Sequence, residues 1–253
     1  IGLIIYDILA GKKGLGRSLP MSKKSVLAEI PRITQNGLRG GVVYHDGQFD
    51  DSRMGINLMQ TAIEQGAVVL NYVKVTGLTK NGQNKISGVK VYDAVSGQDY
   101  MLKTKAVINA TGILVDDIIK MDAPEKENIV RISQGVHLVV DKSFLGGDTA
   151  IMIPKTSDGR VLFGVPWHDK VVLGTTDTPL KEFVLEPKAL DEEIEFILRT
   201  AGQYLTKAPK REDVLSVFAG LRPLAAPKSS ADEAKTKEIS PSLIHIGRCR
   251  RRG

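Results

Sequence analysis

The spacing of apolar and polar positions changes several times along the chain. Ile1–Leu9 is apolar almost throughout and predicts a helix, which Gly11-Lys-Lys-Gly-Leu-Gly16 is too glycine-rich to continue. Ser22–Glu29 predicts a short helix closed by Pro31, and Gly40–Tyr44 predicts a strand, with a turn at His45–Asp50. Asp50 or Asp51 can cap a helix in which Ile56, Met59, Ala62 and Ile63 recur at helical spacing as far as Gly66. Ala67–Val75 is rich in β-branched residues and predicts a strand. Ile86–Tyr92 and Asp99–Thr104 predict two more, joined at Asp93–Gly97 as a hairpin or meander. Lys105-Ala-Val-Ile-Asn-Ala-Thr-Gly112 predicts a short buried strand entering a glycine turn, with a helix starting at Asp116–Lys120. That order would set backbone N–H groups at the mouth of a parallel sheet, where anions bind.

The second half reads differently. Ile129–Ile132, Val136–Val140, Ala150–Ile153, Val161–Val165 and Lys170–Gly174 are short runs at regular spacing, the pattern of an antiparallel sheet. Pro187–Leu205 predicts a long helix with Ala189, Ile194, Ile197, Leu198 and Ala201 on one stripe. Its early acids, Asp191, Glu192, Glu193 and Glu195, suit the helix dipole. Arg211–Ala219 predicts a last strand and Gly220-Leu-Arg-Pro-Leu224 a turn. The fold class expected is mixed α/β (α+β).

Composition narrows the classes. The 253 residues are 42% hydrophobic and 25% charged, as in an ordinary soluble domain, which excludes a disordered or collagen-like chain. No apolar run approaches the roughly 20 residues of a membrane span. One cysteine excludes a disulfide scaffold, and the four histidines show no metal-ligand spacing, so no metal is expected. The formal charge is +6, but four arginines lie in the last six residues, and without them 31 basic residues face 29 acidic ones. The body therefore carries no nucleic-acid signature. Pro241–Gly253 lacks core periodicity and reads as an adaptor-derived, non-native tail; the alternative is a natural basic tail for anionic partners.

Five motifs occur in a fixed order: Lys105-Ala-Val-Ile-Asn-Ala-Thr-Gly112, Gly135-Val-His-Leu-Val-Val140, Gly164-Val-Pro-Trp167, Leu173-Gly-Thr-Thr-Asp177 and Ala219-Gly-Leu-Arg-Pro-Leu224. Together they resemble the FAD-dependent, respiratory glycerol-3-phosphate dehydrogenases, over roughly Gly2 to Ala226. Asp50-Asp-Ser-Arg-Met54 resembles that family's Asp-Asp-Ala-Arg-Leu element. The family's Gly-x-Gly-x-x-Gly would lie before Ile1, and its Gly-Gly-Lys-x-Thr-Thr-Tyr-Arg stretch would fall after Ser240. The resemblance therefore implies an internal fragment. It divides the chain into a central part, 1–240, and the tail, 241–253. About 45–125 would include part of a Rossmann-like FAD domain, and about 129–226 would be mainly an antiparallel-sheet substrate domain.

The resemblance implies oxidation of sn-glycerol 3-phosphate to dihydroxyacetone phosphate, with hydride passing to FAD and electrons to quinone. It also implies a protein held peripherally at the inner face of the cytoplasmic membrane. Lys12, Lys13, Arg17, Lys23 and Lys24 could face anionic lipid, or form a solvated basic loop. Other readings are the oxidase of the same family, an amino-acid oxidase-like flavoprotein, and a non-catalytic domain binding a polyol phosphate or a partner. The sequence does not set the oligomeric state.

Arg222 is the leading candidate for substrate and catalysis, since a guanidinium binds phosphate in a planar, bidentate way; alone, it would read as a salt-bridge arginine. His137 reads either as a satisfied core histidine on the face of Val139 or as a donor or proton acceptor near the C2 oxygen. Thr175 and Thr176 are candidates to line the substrate pocket. Asp177 reads as capping a turn before Pro179 and Trp167 as packing. Ala110, Thr111 and Gly112 are implied FAD contacts, as is the backbone of Val75.

Overall fold

The computed structural model describes residues 2–11, 14–153, 156, 159 and 161–226. Its first half runs α1 (Gly2–Ala10), β1 (Leu19–Ser22), α2 (Lys23–Glu29), β2 (Gly40–Val43), α3 (Asp51–Glu64), β3 (Val73–Lys80), β4 (Ile86–Asp93), β5 (Gln98–Lys103) and α4 (Val115–Asp122). There follow β6 (Val130–Asp141), β7 (Ile151–Ile153), β8 (Leu162–Trp167), β9 (Lys170–Gly174), β10 (Thr178–Leu180), α5 (Asp191–Tyr204) and β11 (Ser216–Ala225). The described residues form two compact units, one within 2–47 and 132–222, the other within 48–131 and 223–226.

In the first unit, β1 and β2 pair antiparallel around α2, whose N-cap Ser22 accepts the Ser25 N–H at 3.1 Å. The larger sheet is built on β6. β9 pairs with it from His137↔Gly174 to Asp141↔Lys170, β10 pairs with it from Thr178↔Gln134 to Leu180↔Ile132, and β8 and β7 extend the sheet beyond β9. β11 pairs with β6 as well. It runs the opposite way, since Leu215 N–H reaches Val139 C=O and Ala226 N–H reaches Ile129 C=O. Alternation on β6 buries Val136, Leu138 and Val140 completely. The α5 stripe of Ile194, Ile197, Leu198 and Ala201 belongs to the same core, where α5 lies over β8 and β9. Each such valine, leucine or isoleucine contributes about 1.5–3 kcal/mol on burial.

The second unit holds the antiparallel sheet β3–β4–β5, with Val89 and Val91 buried on β4. α4 lies against β3. Its Asp116 carboxylate accepts the N–H groups of Ile129 at 3.0 Å and Val130 at 3.1 Å, tying the first turn of the helix to the start of β6. α3 is capped by Asp50, which accepts the Arg53 N–H at 2.8 Å, and none of its residues is buried.

Several expectations change. The last strand begins at Ser216, not Arg211, after a 3-10 turn, and the described strand pairs are antiparallel, so no parallel-sheet mouth forms among the described residues at the Ala110–Gly112 turn. The strand expected over Ala67–Val75 begins only at Val73 and runs on to Lys80; Val68 and Leu70 are exposed. Lys105–Thr111 forms no strand among the described residues, and Ile108 is exposed. In both places the apolar run is present but no described strand pairs with it, and pairing is what makes a strand. The runs at Ile129–Ile132 and Val136–Val140 join into the single strand β6, because polar Ser133 and Gln134 are satisfied within it. The turn expected at Gly220–Leu224 is instead continuous β11. Pro223 can sit there because β11 pairs only with β6 among the described strands, and an edge strand tolerates a residue without an N–H. The tail, Lys12 and Lys13 lie outside the described residues.

Leu138→Ala should lower stability by about 2–5 kcal/mol in urea unfolding, because it empties the sheet–helix core. Val95→Ala, at the exposed β4–β5 turn, should change it by less than about 0.5 kcal/mol.

Candidate functional site

β9 and β10 meet the same edge of β6, since β11 occupies the other edge along its length. They meet it one residue out of step. His137 pairs with Gly174 and Gln134 with Thr178, so residues 135 and 136 face three residues, 175 to 177. The extra residue makes a bulge, a device that ends regular pairing and re-aims side chains. Here it takes in most of the Gly174-Thr-Thr-Asp177 motif. At the point where the ladder lapses, the Val136 N–H donates to Thr176 Oγ1 at 3.0 Å.

Arg222, on β11, is held by this bulge. One guanidinium nitrogen donates to the Thr176 carbonyl at 2.9 Å, and the other donates to Thr175 Oγ1. Those bonds use two of the five N–H groups an arginine carries. The guanidinium passes directly over Gly135. A Cβ at that position would stand 2.6 Å from Arg222 Cζ and 2.8 Å from Thr175 Oγ1. Gly135 is therefore the condition for the arginine's placement.

His137 lies two residues along the same face of β6, about 7 Å away at strand spacing. Its ring stacks on Phe218 of β11 with centroids 5.1 Å apart. It also crosses its register partner so closely that a Cβ on Gly174 would lie 2.9 Å from His137 Cγ. Burial, and then the positive charge of Arg222, hold the imidazole below its usual 6.5. It is therefore neutral at neutral pH and able to accept a proton. On β11, Gly220 falls between Phe218 and Arg222, and a Cβ there would meet no heavy atom within 4 Å. The face thus has a cationic pole at Arg222, a neutral base at His137 and a bare glycine surface.

The opposite face of the bulge holds a buried carboxylate. Glu193, in the first turn of α5, is 5% exposed. Its Oε1 accepts from Thr176 at 2.9 Å and Thr178 at 2.6 Å; its Oε2 accepts from Gln134 at 2.7 Å and the Leu190 N–H at 2.9 Å. Burial alone pushes this carboxyl up, but the bonds from Leu190, Thr178, Thr176 and Gln134 outweigh it and hold it below its usual 4.5.

Asp177 accepts the Ser133 hydroxyl, beside β10. Trp167, taken as a packing residue, is only partly buried and stands edge-on to His168 at 5.3 Å, at the β8–β9 turn. Sequence reading missed Gly135, Phe218 and Glu193. A glycine inside a strand was the available signal for the first. The early acids of α5 read only as dipole partners, although Leu190 N–H to Glu193 is one arm of a capping box.

The expected cofactor contacts lie in the second unit. Val75 is half-buried on β3 opposite Val91. Ala110, Thr111 and Gly112 are exposed. Thr111 donates its hydroxyl to Asn109 Oδ1 at 2.7 Å, and Asn109 donates to Val115 C=O at 2.9 Å, which holds the turn rigid. Gly112 has φ +58° and nothing within 4 Å of its Cβ position. Its backbone is open to close approach, which fits a cofactor contact at this turn.

The family described as FAD dependent oxidoreductase matches residues 4–253. The chain is 41% identical over 239 residues to the mitochondrial glycerol-3-phosphate dehydrogenase of Schizosaccharomyces pombe, covering 91% of this chain and 37% of that protein. It is 37% identical over 251 residues to the Homo sapiens mitochondrial glycerol-3-phosphate dehydrogenase, covering 96% and 34%. It thus spans little more than a third of these relatives' length. Among solved structures, the glycerol-3-phosphate dehydrogenase of Bacillus halodurans, complexed with FAD, matches with a TM-score of 0.74 at 33% identity, covering 82% of this chain and 42% of that one. The chain belongs to the FAD-dependent oxidoreductase family.

Proposed function

We propose that this chain carries the substrate site of an FAD-dependent enzyme that oxidises sn-glycerol 3-phosphate to dihydroxyacetone phosphate. The observation that supports it best is the pairing of Arg222 with a neutral His137 on one face of β6 and β11, over Gly135 and Gly220. A three-carbon phosphate needs such a pair: a guanidinium for the dianion and a base for the C2 hydroxyl. The similarity to glycerol-3-phosphate dehydrogenases supports the same substrate.

In this mechanism Arg222 takes the phosphate with the N–H groups that do not bond the bulge. Thr175 and Thr176 hold the guanidinium in place, and Thr175 Oγ1 lines the phosphate end. His137 receives the C2 hydroxyl proton, which leaves the C2–H bond polarised for hydride loss. The stack on Phe218 fixes the ring that takes that proton. Val75, Ala110, Thr111 and Gly112 would hold FAD, which when bound supplies a hydride acceptor. With FAD held there, quinone would be the electron acceptor and the protein would sit peripherally at a membrane face. No described helix is long and apolar enough to cross a membrane.

The direct test is the full-length protein assayed with sn-glycerol 3-phosphate against a short-chain quinone and against oxygen. Flavin-dependent turnover of the phosphate is the expected result, and reduction of the quinone assigns the dehydrogenase over the oxidase. Turnover of amino acids with none of glycerol 3-phosphate would overturn the substrate.

The pH dependence has a defined sign. The neutral imidazole is the working form and its pKa is depressed, so kcat/KM should hold down to pH values below 6.5 and fall only beneath them. In Arg222→Gln the imidazole should titrate at higher pH, followed by NMR, because the adjacent positive charge is gone. A midpoint that stays put would remove Arg222 as a cause. The two glycines separate binding from chemistry. Gly135→Ala should raise KM about tenfold by displacing Arg222, and Gly174→Ala should lower kcat about a hundredfold by displacing His137. Steady-state kinetics on both variants, with thermal midpoints as the folding control, checks the assignment.

A further inference from the structure

The bulge that seats Arg222 is pinned from the other side of the sheet by a buried carboxylate that touches neither Arg222 nor His137. We propose that Glu193 is a positioning residue for the substrate phosphate, acting through Thr176; this rests on the glycerol-phosphate reading above. Thr176 is 1% exposed and bonded in two directions. Its hydroxyl donates to Glu193 Oε1 at 2.9 Å while accepting the Val136 N–H, and its carbonyl accepts Arg222 at 2.9 Å. Thr178, the first paired residue after the bulge, donates to the same carboxylate oxygen at 2.6 Å. The middle of the bulge and the residue that follows it therefore converge on one oxygen.

A helix cap does not require this. The capping bond to the Leu190 N–H uses one oxygen, and a glutamine makes it equally well. What needs a carboxylate is the donor count: four donors, from Thr176, Thr178, Gln134 and Leu190, and no acceptor among them that must be met. An amide at 193 would turn one end into a donor facing donors. A direct ion pair to Arg222 would also hold the arginine, but it would neutralise the charge that the phosphate needs. Routing the anchor through the Thr176 hydroxyl and carbonyl holds the guanidinium and leaves its charge uncompensated.

The test uses the full-length holoenzyme with four variants: Glu193→Gln, Thr176→Val, Thr176→Ser and the double Glu193→Gln/Thr176→Val. Readouts are KM and kcat for sn-glycerol 3-phosphate, the inhibition constant of inorganic phosphate, the flavin absorbance spectrum and the thermal midpoint. Glu193→Gln and Thr176→Val should each raise KM and the phosphate inhibition constant about tenfold, with kcat within about threefold and the spectrum unchanged. Thr176→Ser should behave as wild type, since it keeps the hydroxyl. The double variant should be no worse than either single one, because both break the same path. A lowered thermal midpoint with unchanged KM and phosphate inhibition would make Glu193 a cap alone and overturn the proposal. Additive losses in the double variant would overturn it too. Should Glu193→Gln fail to fold, the Val and Ser variants at 176 decide on KM alone. A wild-type enzyme that does not oxidise glycerol 3-phosphate would instead defeat the functional reading, an outcome separate from all of these.

Discussion

Where β10 rejoins β6 one residue out of step with β9, three residues must be accommodated opposite two, and the rest of the site is built around holding that excess. A bulge frees ladder groups that must find other partners. Val136 N–H finds Thr176 Oγ1, and the Thr176 carbonyl finds Arg222. Groups released from regular pairing thus become the seat of a charged side chain. Beside the irregularity, Gly135 of β6 is pressed by Arg222 and Gly174 of β9 by His137.

Charge is distributed across the sheet in a consistent way. The anion Glu193 is buried on the core side and is compensated by two hydroxyls, an amide and a backbone N–H rather than by a cation. Such compensation is required, because a buried charge without donors is costly. The cation Arg222 lies on the other face and, among the described residues, is bonded only to neutral oxygens of Thr175 and Thr176. Its field is therefore not cancelled locally, and it acts on His137, whose proton affinity it lowers together with burial. One arginine thus sets a positive charge beside the imidazole and, after burial, adds to the lowering of its pKa.

The second unit carries different information. Its sheet is antiparallel, with register shifts on β3 at Val75/Gly77 and Thr79/Lys80, its turn at Ala110–Gly112 is braced through Asn109, and Asp116 fastens α4 to the start of β6. The apolar residues of α3 and of the segment around Val68–Leu70 stay exposed. Their burial on folding is not supplied by the described residues, which is why periodicity alone overstated the strands there.

Much of the architecture was legible in the chain. Local rules suffice for α2, α3 and α5 and for the β4–β5 hairpin, because caps, turn residues and side-chain period act within a few residues. Alternation along 136–140 put His137 and Val139 on one face, and the burial of Val136, Leu138 and Val140 shows that face to be the one away from the core; motif order singled out Arg222, His137, Thr175 and Thr176. What tertiary structure alone decided was partnership. Neither the continuity of β11 through Gly220–Leu224 nor the out-of-step meeting of β9 and β10 with β6 follows from local pattern, since register is set by strands far apart in sequence. For the same reason Glu193 looked like one more acid at a helix start. Its four hydrogen bonds come from residues 134, 176, 178 and 190, and only the folded sheet gathers them on one carboxylate.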